Sequence, residues 1–364
     1  METIRLIVAV AVKHNWSMYQ LDVKSAFLNG ELEEEVYVSQ PPGFEIKGKE
    51  YYVYKLDKAL YGLKQAPRAW NKKIDRFLVQ QGFAKCVNEH GIYCRNTTNK
   101  LIICLYVDDM ITIGSNDAEM EDFKKNMMNQ FEMSYLGNLT YFLGIEFEMN
   151  SQGVIIHQRK YALDILKRFK MLNCKPISTL VNTGVKLSLV NDKKEIDPTL
   201  FKHIVGSLRY LCHTRPDIAY GVGLISRYMV KPINSHLIAA KRILRYVKGI
   251  CNLGIRYYRN QKPVDQMIVG YSDLDWSGDK DDKKSTVVYG FVIGNAPFSW
   301  SSKKELVIAL SSCEAEYIAT SMTACQAQWI NMLLIEMQQM ENEKLELRVD
   351  IKSAIDLAKH TWKK

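Results

Sequence analysis

The sharpest pattern in the chain is an apolar run, Leu101-Ile102-Ile103-Cys104-Leu105, that meets Asp108 and Asp109 and resumes with Met110, Ile111 and Ile113. Two such runs read as strands, and Gly91–Arg95 just before them reads as a third. The carboxylate pair between the runs admits two readings. Asp is a turn former, so the pair can be a hairpin tip. A two-residue tip, however, favours Asp-Gly or Asn-Gly, and an ionised carboxylate buried without a partner is costly.

Elsewhere the pattern alternates between strand and helix. Met18–Phe27 reads as a strand entering a turn, Pro41-Pro42-Gly43 breaks the chain, and Lys58–Phe83 reads as helical on either side of Pro67. Asp117–Phe131 predicts a helix with Asp117 as N-cap, and Thr140–Gln158 predicts two strands around Asn150-Ser151-Gln152-Gly153. From Arg159 to Gly249 the pattern is mostly helical, interrupted by a loop over Cys174–Pro198. Near its end Lys241, Arg245 and Lys248 form one stripe against Ala240, Ile243, Leu244 and Val247 on the opposite face. The basic stripe reads equally as a solvated face or as a phosphate-contacting one. After a boundary near 257–266 come strand patterns over Met267–Gly278 and Thr286–Ser302, a helix over Cys313–Met337, a strand at Leu345–Ile351 and a short helix. That order predicts a mixed α/β module.

At 364 residues the chain predicts two or three domains, and 47% hydrophobic with 24% charged residues is a globular balance. A net charge of +9 suits a polyanionic partner. The apolar run Leu6–Val12 is too short to span a bilayer and predicts an amphipathic first helix rather than a signal peptide. No membrane partner is expected. The eight cysteines contain no Cys-x-x-Cys pair, so reduced intracellular thiols are expected and zinc is not.

Four further carboxylates sit in apolar surroundings: Asp22, Asp273, Glu316 and Asp350. They group as Asp22 with Asp108 and Asp109, and as Asp273 with Glu316 and Asp350. Magnesium accounts for both groups, because it takes hard oxygen ligands from a few carboxylates plus substrate phosphates.

These residues carry a family resemblance. Gln20–Phe44, Tyr61–Trp70, Leu105–Met110, Tyr141–Glu146, Thr214–Tyr220 and Ala239–Gly249 resemble, in order, the reverse transcriptase of copia-type LTR retrotransposons. Gly270–Thr286 and Ser299–Ala319 resemble that family's ribonuclease H domain. The resemblance implies an α+β fold with three parts. Residues 1–150 would be a reverse-transcriptase palm with partial fingers, 151–260 a mostly helical thumb and connection, and 261–364 a ribonuclease H-like mixed α/β domain, truncated at its C-terminus. It implies that Asp22, Asp108 and Asp109 hold two Mg2+ (or Mn2+) ions for nucleotidyl transfer, and that Asp273, Glu316 and Asp350 hold metal for RNA-strand hydrolysis. Within Ser311–Tyr317 it selects Glu316 over Glu314, leaving Glu314 and Asp275 as surface or capping residues.

The resemblance further assigns substrate contacts to Phe27, Gln65 and Tyr106, and a grip on the primer end to Tyr141–Glu146; core packing is the other reading of Phe27, Gln65 and the grip. RNA template, DNA primer, RNA–DNA hybrid and deoxynucleotides are the implied partners, with other retrotransposon Pol parts. The implied location is intracellular, in a cytoplasmic particle or the nucleus, not secreted.

Three departures stand against the family pattern. The chain opens inside the family's fingers, Ile351-Lys352 replaces the family's Asn-Gln after Asp350, and the chain stops before the fourth acidic ligand. Two readings follow: a polymerase with ribonuclease H, or an inactive or domesticated retrotransposon fragment that retains only nucleic-acid binding. For the chain alone the expectation is little template-directed synthesis, negligible RNA cleavage and salt-sensitive hybrid binding.

Overall fold

A computed structural model describes residues 1–97, 99–182, 187–189, 195–259, 268–338 and 345–360. They form two compact units, one of Asn15–Leu139 with Leu333–Gln339 and the other of the remainder. The loop expected over 174–198 and the boundary near 257–266 lie partly outside the described residues. Among the described residues no helix is long and apolar enough to cross a membrane.

The chain opens with helix α1 (Glu2–Lys13), which belongs to the second unit. In the first unit follow β1 (Ser17–Val23), the short pair β2 (Tyr37–Ser39) and β3 (Val53–Lys55), and helix α2 (Ala66–Gln80). Then come β4 (Ala84–Lys85), β5 (Ile92–Asn96), β6 (Lys100–Tyr106), β7 (Asp109–Gly114), α3 (Asp117–Gln130) and β8 (Met133–Asn138). Six of the strands form one antiparallel sheet in the order β4-β5-β6-β7-β1-β8.

Helices α2 and α3 cover one face of this sheet. Trp70, Ile74, Phe77 and Leu78 of α2, at helical spacing, meet Met120, Phe123 and Met127 of α3 over Leu21, Val23, Tyr93, Ile103 and Met110. Pro67 does not divide a longer helix. It sits in the first turn of α2, where its missing N–H would have no partner anyway, and residues before Gln65 turn rather than coil. The cap of α3 is Asn116 rather than Asp117: its side chain accepts from the Ala118 and Glu119 amides at 2.9 and 3.3 Å. Gly30 is required by close approach, since a Cβ there would stand 2.7 Å from the Trp70 nitrogen.

The second unit holds β9 (Tyr141–Phe142), β10 (Ile145–Asn150), β11 (Gly153–His157), α4 (Arg159–Arg168), α5 (Pro198–Leu211), α6 (Ala219–Ser226), α7 (Asn234–Gly249) and β12 (Ile255–Tyr258). It continues with β13 (Ile268–Asp275), β14 (Thr286–Ile293), β15 (Ala296–Lys304), helix α8 (Ser312–Glu336), whose end from Leu333 is counted with the first unit, β16 (Glu346–Arg348) and α9 (Lys352–His360). One sheet runs β12-β11-β10-β9; another runs β15-β14-β13-β16, with β16 parallel to β13 and the rest antiparallel. Helices α4 to α7 enclose an apolar core to which Ala240, Ile243, Leu244 and Val247 of α7 contribute. On the opposite face of α7, Arg245 donates to the Lys175 carbonyl at 2.8 Å.

Helix α1 is not amphipathic as expected. Every residue from Thr3 to Val12 is buried, the two polar ones included: Thr3 is covered, and Arg5 donates to the carbonyls of Phe298 and His213.

Candidate functional site

Both readings of the Asp108–Asp109 pair meet at one hairpin. Strands β6 and β7 pair from Leu101↔Gly114 to Tyr106↔Asp109, which leaves Val107 and Asp108 as the tip. Val107 takes φ +59, a strained region for a β-branched residue. Two neighbours hold the tip. The Trp70 indole donates to the Val107 carbonyl at 2.7 Å, the Val23 amide donates to the Asp108 carbonyl at 3.0 Å, and Trp70 itself is buried.

Strand β1 lies beside β7 with Asp22 directly opposite Asp109. Directly paired residues of an antiparallel ladder project to one face, so Tyr106, Asp109 and Asp22 line up across three strands. Leu21 and Val23 point the other way, into the core under α2 and α3. All three carboxylates are half-buried. Burial first, then the charge of Asp108, raises the Asp22 pKa. Asp109 is raised by burial and by both Asp108 and Asp22, against a hydrogen bond from Gln20. Their mutual repulsion is the condition a shared cation would relieve.

Phe27 is half-buried, with its ring 4.8 Å from that of Tyr61, and packs beside Ala59, Ala66 and Ala69. Gln65 precedes α2, and its side chain makes no capping bond. Tyr106 is exposed at the strand end. In the second unit Tyr141–Glu146 forms the β9–β10 hairpin, with Leu143 and Gly144 both at positive φ as a tight two-residue turn demands.

The second cluster is gathered from three elements. Asp273 lies on β13, Glu316 on the first turns of α8, and Asp350 just after β16; one carboxylate oxygen from each falls within 4.8 Å of the others. Among the described residues it is the one group of three or more such side chains this close. Glu316 is 1% exposed and its Oε2 has no hydrogen-bond partner, whereas Asp273 and Asp350 face solvent. Burial, then Asp350 and Asp273, push the Glu316 carboxyl up to about 8. A buried carboxylate with an orphaned oxygen beside two more carboxylates fits a hard divalent cation. Glu314, by contrast, accepts from the Leu310 amide at 2.8 Å, and its own amide donates to Ser311 Oγ at 3.1 Å, the work of a helix cap. Asp275 and Lys352 are exposed.

Sequence reasoning passed over Gln20 and Trp70. Gln20 is buried beside Asp109, and its signal was its place two residues before Asp22, on the same face of β1. Nothing local marks Trp70 as the clamp on a turn 37 residues away.

The family model described as reverse transcriptase (RNA-dependent DNA polymerase) matches residues 1–183. The retrovirus-related Pol polyprotein from transposon RE1 of Arabidopsis thaliana is 43% identical over 336 residues, 92% of this chain and 23% of that protein. The corresponding polyprotein from transposon TNT 1-94 of Nicotiana tabacum is 38% identical over 372 residues, 99% of this chain and 28% of its own length. A protein ascribed to transposon Ty5-1 in Saccharomyces cerevisiae is 33% identical over 310 residues, 84% of this chain and all of that protein. The chain thus spans about a quarter of the two polyproteins.

Proposed function

The chain belongs to the reverse transcriptase (RNA-dependent DNA polymerase) family, and from that premise we propose that Asp22, Asp108 and Asp109 are the catalytic carboxylates of RNA-templated DNA synthesis. The observation that carries this reading is the register of Asp22 opposite Asp109, with Asp108 beside them on a strained turn. Magnesium or manganese, when bound, would supply Lewis acidity toward a primer 3′-hydroxyl and the phosphates of a deoxynucleotide. The chain's own residues position that chemistry. Gln20 orients the Asp109 carboxylate, and Trp70 and Val23 fix the height of Asp108. Tyr106, exposed in register with Asp109, would bear on the primer terminus; Phe27 would crowd the ribose and Gln65 would line the nucleotide pocket.

In this reading residues 1–150 are a palm with partial fingers, 151–260 a thumb and connection, and 261–364 a ribonuclease H-like domain. Asp273, Glu316 and Asp350 are then its metal ligands for hydrolysis of the RNA strand of a hybrid. The partners are RNA template, DNA primer and other Pol parts, and the location is an intracellular particle or the nucleus.

Primer extension on an RNA template with magnesium is the test. Synthesis lost in Asp108→Asn and in Asp22→Asn supports the reading. Hybrid binding without any synthesis would replace it with a nucleic-acid-binding role alone, and synthesis that survives Asp108→Asn would refute the site.

A further inference from the structure

A cavity of about 440 Å³ in the second unit opens between α5, α6 and β15. Arg5, Arg209, Arg227, Lys303 and Lys304 line it, and no carboxylate does. Five fixed cations around one hollow repel one another, so the charge around them decides what the hollow suits. Behind the wall, buried Asp279 takes Arg227 at 3.1 Å and Lys304 at 2.7 Å, and Asp282 adds 2.8 Å to Lys304. Those two cations are balanced.

The other three are not. Arg209 and Lys303 are exposed and make no ion pair among the described residues. Arg5 is 5% exposed, donates to the carbonyls of Phe298 and His213 at 2.6 and 2.9 Å, and lies 3.8 Å over the Trp300 ring, again with no ion pair. Burial lowers the Arg5 pKa against the field of Glu2, one turn before it in α1, whose carboxylate accepts from Gln326 at 2.8 Å; the guanidinium stays charged, held by carbonyls and a ring rather than by an ion pair. Ser302 Oγ, also at the cavity, is buried without a hydrogen-bond partner.

We infer that this cavity is a binding site for phosphate groups, unconnected with the two carboxylate clusters. Three unbalanced cations exceed what one carboxylate would neutralise, and guanidinium forks match phosphate oxygens. The volume exceeds that of a single water, roughly 30 Å³, many times over, so it admits more than one phosphate. Consecutive backbone phosphates of a nucleic-acid strand and a free polyphosphate chain share this chemistry.

Calorimetric titration of the full chain with inorganic tripolyphosphate in a chelator tests the site without metal-bridged binding at the carboxylates. Saturable one-site binding is expected, weakened at least about tenfold in Arg209→Glu/Lys303→Glu and unchanged in Asp108→Asn and in Lys241→Glu/Lys248→Glu. Arg209 and Lys303 are exposed and unpaired, so reversing them spares the fold. A parallel titration with an RNA–DNA hybrid separates the sources. Hybrid binding weakened by the same pair and displaced by tripolyphosphate identifies backbone phosphates, whereas hybrid binding left intact identifies a free polyphosphate. Absence of saturable tripolyphosphate binding, or equal weakening by both double reversals, would overturn the inference.

Discussion

The two carboxylate clusters solve one electrostatic problem by different means. Asp22, Asp108 and Asp109 come from neighbouring strands and the turn of a single sheet and stay half-buried, so the cost of bringing them together is spread over the raised carboxyls of Asp22 and Asp109, beside a strained turn at Val107. Asp273, Glu316 and Asp350 come from a strand, a helix and the exit of another strand, and there the cost sits on one deeply buried side chain, Glu316. The first cluster should therefore answer to changes that loosen a turn, and the second to changes of pH and metal.

The largest separation is expected in activity. On the proposed reading, whatever primer extension the chain supports should be abolished in Asp108→Asn, and whatever RNA cleavage it supports should be abolished in Glu316→Gln, each without change in the other reaction. Parallel assays of both reactions on the same two variants check this. Equal loss of both reactions in either variant would mean that the clusters do not work separately.

The pH response is the next largest effect. Glu316 has a folded-state pKa of about 8, above the roughly 4.3 of an unfolded glutamate. Between these values the folded chain holds a proton that the unfolded chain has released, so stability falls as pH rises through this window. Allowing for solvent around Asp273 and Asp350, the loss is about 3 kcal/mol, and Glu316→Gln should flatten it. Magnesium at pH 8 should raise the wild-type Tm by roughly 3 °C and the variant's by less. Denaturant melts across pH with and without magnesium measure both. A pH profile that keeps its slope in Glu316→Gln would transfer the titration to another group.

How much of this could be read in the residues themselves follows the same division. The β6–β7 hairpin, α3 and the strand-helix-strand order after 267 were legible, because alternation and helical spacing are local signals. That each of these carboxylates interrupts an apolar run was legible too. What depends on distant contacts was not. Register sets Asp22 opposite Asp109, and no local pattern encodes which strand lies beside β1. The burial of α1 on every side comes from what surrounds it, and a helix of apolar residues with one arginine reads the same on a surface or in a core. The change from Asp117 to Asn116 as cap is a shift of one residue between two good capping side chains.

A smaller effect distinguishes the clusters through Trp70. Trp70→Phe keeps most of the aromatic packing but removes the donor to the Val107 carbonyl. The expected loss is about 1–2 kcal/mol of stability, from one hydrogen bond and a small cavity. Extension should fall with it, because Asp108 is adjacent to the released carbonyl, while RNA cleavage stays unchanged. Chemical melts paired with the two assays test this. A variant equally impaired in both reactions would show Trp70 acting through global stability rather than through the turn.

The smallest expected effect reverses the sign. Val107 holds φ +59 with a branched Cβ, in a conformation that glycine adopts without steric cost. The residue is 46% exposed, so removing its side chain sacrifices little buried surface. Val107→Gly should therefore stabilise the protein by about 1 kcal/mol, the relieved strain exceeding the greater freedom that glycine gives the unfolded chain. If the strain serves to hold Asp108 at a set height, the same variant should extend primers more slowly than wild type although it is more stable. Stability and extension moving in opposite directions would tie the strained turn to catalysis. A rise in both would show that Val107 is tolerated at the tip rather than needed there.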